Sequence, residues 1–165
     1  MRHNYNLGFI SDNDIFEHVK LTVESYRREI TLLQFNENIV DPIKLTFDSK
    51  VYGKTIQQAI EDECFRQIDK SNSNRIGYFH QNIFRYAGNG WVVPKQGFDV
   101  ENDERHIYVE LKNKHNTMNS ASSQKTYMKM QAKLLDDDQA TCYLVEAIST
   151  KTKDDTWRIT LDKKP

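Results

Sequence analysis

Asp99, Glu110 and Lys112 put two acids and an amine close together in the second half of the chain. Two carboxylates held near each other repel, and one takes up a proton unless a cation is shared between them. Magnesium suits such a pair, being hard, oxygen-seeking and able to keep waters while touching a phosphate. An ion of that kind polarises a phosphodiester and lowers the pKa of a bound water. Lys112 can orient that water or stabilise charge building on the phosphate. The chemistry these residue types suggest is metal-assisted phosphodiester hydrolysis.

Spacing alone does not single the trio out. Asp41 with Asp48-Ser49-Lys50, and Asp154 with Asp162-Lys163-Lys164, fit the same string. Only the match at Asp99 sits in a strand-like context. The run from Ile107 to Asn113 alternates, with Ile107, Val109 and Leu111 on one face and Tyr108, Glu110 and Lys112 on the other. In the preceding strand, Phe98 to Glu101, the apolar pair is Phe98 and Val100, so Asp99 is expected to point away from both. A hairpin with its apolar faces aligned brings Asp99 beside Glu110 and Lys112. The plainer alternative is a solvated hairpin face with an ordinary Glu–Lys pair.

The elements that must position this hairpin read as helices first and strands after. Ser11 and Asp12 offer an N-cap to a helix running to about Arg28, with Ile15, Phe16, Val19, Val23 and Tyr26 as its apolar stripe. The segment 30–52 has no clear period, although Asp41-Pro42 marks a turn or a helix start. Thr55 can cap a helix to about Lys70. A polar connector at Ser71-Asn72-Ser73-Asn74 then separates it from a short helix at Ile76–Ala87, ended by Gly88-Asn89-Gly90. Trp91-Val92-Val93 is strand-like. After the hairpin, Ser123 to Asp137 reads as a helix, Ala140 to Ile148 as a long apolar strand expected at the sheet's centre, and Trp157 to Leu161 as a last strand. This order implies one mixed α/β domain over 1–165, with a helical part at 12–88 and a sheet–helix part at 91–161 around a small mixed sheet flanked by helices.

Several other residues could serve the same chemistry. Glu63 falls inside the helical arc of Ile56, Ala59, Ile60 and Cys64, and an inward acid is costly unless it is paired or metal-bound. It could supply an oxygen beside Asp99, or lie at the arc's edge and reach water; Glu61 is the other candidate. Lys125, Lys129 and Lys133 recur every four residues and, with Lys114 and His115, could follow a phosphate backbone. A solvated face is the common meaning of such a stripe. Asn116, Asn119, Ser120 and Ser122 form a polar loop that could touch phosphates or base edges, or merely cap the next helix. Gln124, near that helix's start, could face the site. His18 and His80 lack sequence partners that would make them ligands.

Composition sets the class but not the activity. The 165 residues carry a net charge of −1, with 38% hydrophobic residues and a mean hydropathy of −0.76. That is a polar-surfaced domain, long enough to bury a core. No apolar run approaches the roughly 18–20 residues that span a bilayer, and the N-terminus lacks a secretory apolar region. Cys64 and Cys142 fit no metal-ligand spacing and suit a reducing cytoplasm. Near-neutral charge does not exclude nucleic acid, which needs only a local basic face.

Longer blocks carry a resemblance. FDVENDERHIYVELKNKHNTMNSASSQKTYMKMQ and RQIDKSNSNRIGYFHQNIF, with LGFISDNDIFEHV and NIVDPIKLTFDSKVYGKTI, resemble the type II restriction endonucleases that recognise GGNCC. The likeness covers nearly the whole chain. It implies the PD-(D/E)XK restriction-endonuclease-like fold and a bacterial, cytoplasmic, site-specific deoxyribonuclease of a restriction-modification system. Such an enzyme cuts both strands of double-stranded DNA to leave 5′-phosphates. By the motif, Asp99 and Glu110 would bind Mg2+, the Leu111 carbonyl would assist, Lys112 would serve the water, and Glu63 would match a helical acid near the metal. A palindromic target implies a two-fold homodimer, with a DNA methyltransferase as functional rather than physical partner.

The chain departs from the pattern in two ways. Phe98 stands where a proline usually precedes the first acid, a position that serves backbone geometry. The chain also ends at Pro165 where relatives continue, and a shortened C-terminus would remove specificity contacts or part of a dimer interface. Two other readings follow: a DNA-binding remnant impaired in catalysis, or a structure-specific repair or junction nuclease of the same fold.

Overall fold

The computed structural model describes residues 4–88 and 90–159. The chain divides into two compact units, one made of Lys20–Ile76 and the other of Met1–Val19 with Gly77–Pro165.

In the second of these, three strands form a sheet: β1 (Val100–Asn102), β2 (Ile107–Lys114) and β3 (Thr141–Ile148), in the order β1-β2-β3. β1 runs antiparallel to β2, with Val100 opposite Val109 and Asn102 opposite Ile107. β3 runs parallel to β2, with Glu110 opposite Leu144 and Lys112 opposite Glu146. A parallel pair requires a crossover, and helix α5 (Ser120–Asp136) supplies it. This is the small mixed sheet with flanking helices expected from the sequence.

The core on the α5 side is Phe98, Tyr108 and Met130, extended by Cys142, Leu144 and Trp157. On the opposite face Val100 and Val109 are fully buried. The end of helix α4 (Ile56–Ile83) lies on that face, where His80 Nδ1 meets Asn113 Oδ1 at 3.0 Å. Helix α1 (Asp12–Glu24) joins this side through His18, whose ring stacks on Phe79 at 4.6 Å and whose Nε2 lies 2.9 Å from the Phe79 carbonyl.

The unit Lys20–Ile76 is helical. α2 (Leu32–Glu37) opens on a capping box between Thr31 and Gln34. α3 (Pro42–Val51) opens on Asp41, whose carboxylate accepts the N–H groups of Ile43 and Lys44, with Pro42 in the first turn. Thr55 and Gln58 cap α4 in the same reciprocal way.

Five expectations from the sequence need correction. Residues 71–74 do not connect two helices: α4 runs unbroken for 28 residues. Asn72 looked like a loop residue, but its amide pairs with the Arg27 backbone at 2.8 and 3.0 Å, so a tertiary contact replaces the turn. α1 ends at Glu24, before Arg28. β3 is an edge strand of the described sheet, because β2 takes β1 on its other side. Trp91–Val93 forms only an isolated bridge from Val92 to Glu101. Of the last expected strand, 157–159 is irregular and 160–161 lie outside the described residues, as do Asn89 and the Asp162-Lys163-Lys164 match.

Candidate active site

Gly97 sets the approach to β1. Its φ is +105°, which strains any residue with a side chain, and a Cβ there would press on Glu101 Oε1 at 2.7 Å. That same Glu101 oxygen accepts the Phe98 N–H at 3.0 Å. The strand therefore begins only at Val100, and residues 97–99 form a turn. This separates Phe98 from Val100, contrary to the simple alternation. Phe98 packs on Tyr108 with ring centroids 5.4 Å apart, on the α5 side, while Val100 pairs with Val109.

Asp99 consequently reaches the edge of β2 from a turn rather than from a strand face. Its Oδ2 accepts the Leu111 backbone N–H at 2.8 Å, and its Oδ1 accepts Gln81 Nε2 at 2.9 Å. Both oxygens are held, so the carboxylate has one orientation. Burial pushes its pKa up. The Leu111 N–H pulls it down, the Glu110 charge raises it further, and Lys112 and Lys129 draw it back; the net shift is upward.

Glu110 is only 7% exposed. Its Oε2 lies 3.5 Å from Lys112 Nζ, and its Oε1 is bonded to Lys129 Nζ. The Lys129 ammonium also donates to the Gly97 carbonyl at 2.6 Å and sits 4.4 Å from the centre of the Phe98 ring. Asp99, Glu110, Lys112 and Lys129 thus form one interacting cluster.

The remaining candidates have surroundings of their own. Glu63 belongs to the unit Lys20–Ile76, where Ala59, Glu63 and Gln67 make a buried stripe on α4. Arg66 grips it with Nε to Oε2 at 2.6 Å and a second bond at 2.5 Å, and Gln67 Nε2 donates to Oε1 at 3.0 Å. The Arg66 hydrogen bonds hold its pKa below the usual carboxylate range. Glu61 is exposed. Asn119 is the N-cap of α5, with Oδ1 accepting the Ser122 N–H at 2.9 Å and the Ser122 hydroxyl at 2.8 Å. His115 pairs with Glu146 at 3.1 Å. Lys114, Asn116, Ser120 and Lys125 are exposed. Gln124 holds its Nε2 buried, the one such atom without a partner among the described residues. Lys133 lies 4.2 Å from the Tyr108 ring centre, so two lysines of the expected stripe rest against the sheet side of α5.

Sequence reasoning missed Gln81, which carries no signal beyond its place in the last turns of α4. It set Lys129 in a basic stripe that could follow a phosphate backbone or form a solvated face, whereas the ammonium turns to Glu110 and the Gly97 carbonyl.

Among the described residues no three His, Cys, Asp or Glu side chains gather as a metal cage. The available donors are the two carboxylates and the Leu111 carbonyl. That carbonyl leaves β2 on the same edge as the Leu111 N–H, toward Asp99. Magnesium is commonly held by one or two carboxylates, waters and substrate phosphates rather than by a protein cage, so this donor set fits it. A cleft of about 1140 Å³ lies apart from these groups, lined by His115, Tyr127, Glu146, Lys153 and Trp157 among others. Its acids are Glu146, Asp154 and Asp155, and Glu146 is paired there with His115 and Lys153.

The central strand β2 thus carries Glu110 and Lys112, with Asp99 and Lys129 brought to it from the approach to β1 and from α5. The chain matches the model of the Eco47II restriction endonuclease family over residues 7–165, and it belongs to that family. It is similar to the type II restriction enzyme Sau96I of Staphylococcus aureus, 29% identical over 158 residues, which are 93% of this chain and 60% of that protein. It is also similar to the type II restriction enzyme Eco47II of Escherichia coli, 32% identical over 116 residues, 68% of this chain and 48% of that protein. The chain thus spans 60% or less of the length of these relatives. No solved structure matches it.

Proposed function

We propose that the chain is one nuclease domain that hydrolyses phosphodiester bonds of double-stranded DNA with Mg2+, as a type II site-specific deoxyribonuclease leaving 5′-phosphates at a GGNCC-type target. The observation that carries this reading is the Asp99 carboxylate, fixed on the Leu111 N–H and raised in pKa by burial and by Glu110. An acid kept uncomfortable next to another acid is a common mark of a functional site. Asp99, Glu110 and the Leu111 carbonyl would hold the metal, which when bound supplies charge stabilisation on the phosphate and a more acidic water.

The chain's own residues have distinct tasks. Gln81 and the Leu111 N–H orient Asp99, each taking one oxygen and leaving its second lone pair for a ligand. Lys112, about a quarter exposed, can reach a phosphate oxygen or a water beside Glu110. Exposed Lys114, Asn116, Ser120 and Lys125, with His115, can meet the DNA backbone. Asn119 and Ser122 serve mainly to start α5, and the local pairing of Glu63 favours a structural role for it. A palindromic target would be met by a homodimer.

Plasmids with and without GGNCC sites, incubated with the protein and magnesium, test the proposal. Discrete fragments confined to the GGNCC plasmid are expected. Retarded but uncut DNA would favour a binding remnant, and cutting only of branched DNA would favour a structure-specific nuclease.

A further inference from the structure

Two ammonium groups bracket Glu110, one at each carboxylate oxygen, and they are not equivalent. Lys112 stands 3.5 Å away on the same strand. Lys129 is bonded to the other oxygen, anchored by the Gly97 carbonyl at 2.6 Å, and shielded by the Phe98 ring. Two carboxylates and two ammoniums therefore cancel within the cluster. A divalent cation gains most from a site of net negative charge, and this one is already neutral. Lys129, moreover, holds an oxygen that the cation needs.

We propose that Lys129 is a built-in counter-ion of Glu110 that a divalent cation must displace, so that the cluster resists metal until substrate phosphate offers the ammonium another partner. This rests on the metal-dependent nuclease reading and adds a regulatory step to it. Lys129 sits on α5 and carries its charge on a flexible stem, so the ammonium can leave Glu110 without moving the helix. A DNA phosphate near Glu110 would receive it, restoring charge balance once the metal has entered. In DNA-free protein the same lysine keeps the two acids from facing each other unscreened.

The test is Mn2+ binding to the DNA-free 165-residue chain, followed by calorimetry or by the loss of the free-ion EPR signal. Lys129→Met is expected to bind Mn2+ about tenfold more tightly than the parent, since one competing positive charge has gone. Lys129→Arg, which keeps the charge, is expected to stay near the parent. Weaker or unchanged Mn2+ binding by a folded Lys129→Met protein would overturn the proposal. So would a Lys129→Arg protein that gained as much affinity as Lys129→Met. Glu110→Gln tests the underlying reading separately: if it binds Mn2+ as tightly as the parent, the metal is not at Glu110 and the functional assignment itself fails. Should Lys129→Met misfold, added potassium or a primary amine such as methylammonium gives a second measurement on the parent. Neither should compete with Mn2+ as the tethered lysine does, and strong competition by dilute methylammonium would mean that Lys129 does not already fill the place.

Discussion

Glu63 and the Asp99–Glu110 pair are both buried acids, and their surroundings differ in a telling way. Glu63 receives a two-point grip from Arg66 and a third bond from Gln67, all from its own helix, and its pKa falls. Asp99 loses solvent, faces another carboxylate, and its pKa rises despite three stabilising neighbours. The first acid is satisfied where it stands. The second retains a cost that an added cation would remove. Burial of an acid therefore does not by itself mark a site; the partners around it decide whether it still gains from a cation.

The sharpest way to break this contrast is to neutralise each acid. Asp99→Asn or Glu110→Gln should lower DNA cleavage by about 10²–10³ or more, with the fold retained. Activity within a few-fold of the parent in either variant would erase the distinction. Lys112→Met should reduce cleavage by a similar or smaller factor, on the order of 10².

Stability should respond in opposite senses. The folded state holds the Asp99 proton more tightly than the unfolded chain does. Its favourable contribution is present below the ordinary aspartate pKa and is lost as pH rises through the folded value. Asp99→Asn should therefore raise the Tm at neutral pH relative to the parent, and the gain should vanish in acid. Glu63 runs the other way: its contribution is present above the ordinary glutamate pKa and fades as pH falls through its lowered folded value. Glu63→Ala should cost on the order of 1 kcal/mol at neutral pH, leaving Gln67 short of a partner, and leave the magnesium requirement unchanged. A shifted magnesium titration would return Glu63 to the site. The smallest effect is expected for Gln81→Ala, about a tenfold loss in cleavage, because the Leu111 N–H still holds the other Asp99 oxygen.

How much of this was legible beforehand depended on whether local pattern and tertiary structure agreed. The run Ile107–Lys114 alternates as a strand buried on one face should, and it is β2. Its polar face proved only half polar, since Tyr108 joins the core with Phe98 and Met130. The Phe98/Val100 pairing failed because Gly97 bends the chain before the strand starts. The long helix α4 was hidden by Ser71–Asn74, four residues of poor helix propensity that a docked Asn72 holds in place. The lysine stripe of α5 was visible, but its direction was not: lysines usually seek water, and only the acid and the aromatic ring behind Lys129 turn it inward. Gln81 could not have been found, since one amide among many polar helix residues has no distinguishing spacing.

The most direct measurement is a crystal of the chain with double-stranded DNA bound, soaked in Mn2+, with the ion located by anomalous scattering. A single strong peak within about 2.0–2.4 Å of oxygens from both Asp99 and Glu110, with Lys129 withdrawn from Glu110, is the predicted result. A peak bound by Glu63, or no peak between Asp99 and Glu110 at saturating Mn2+, would contradict it.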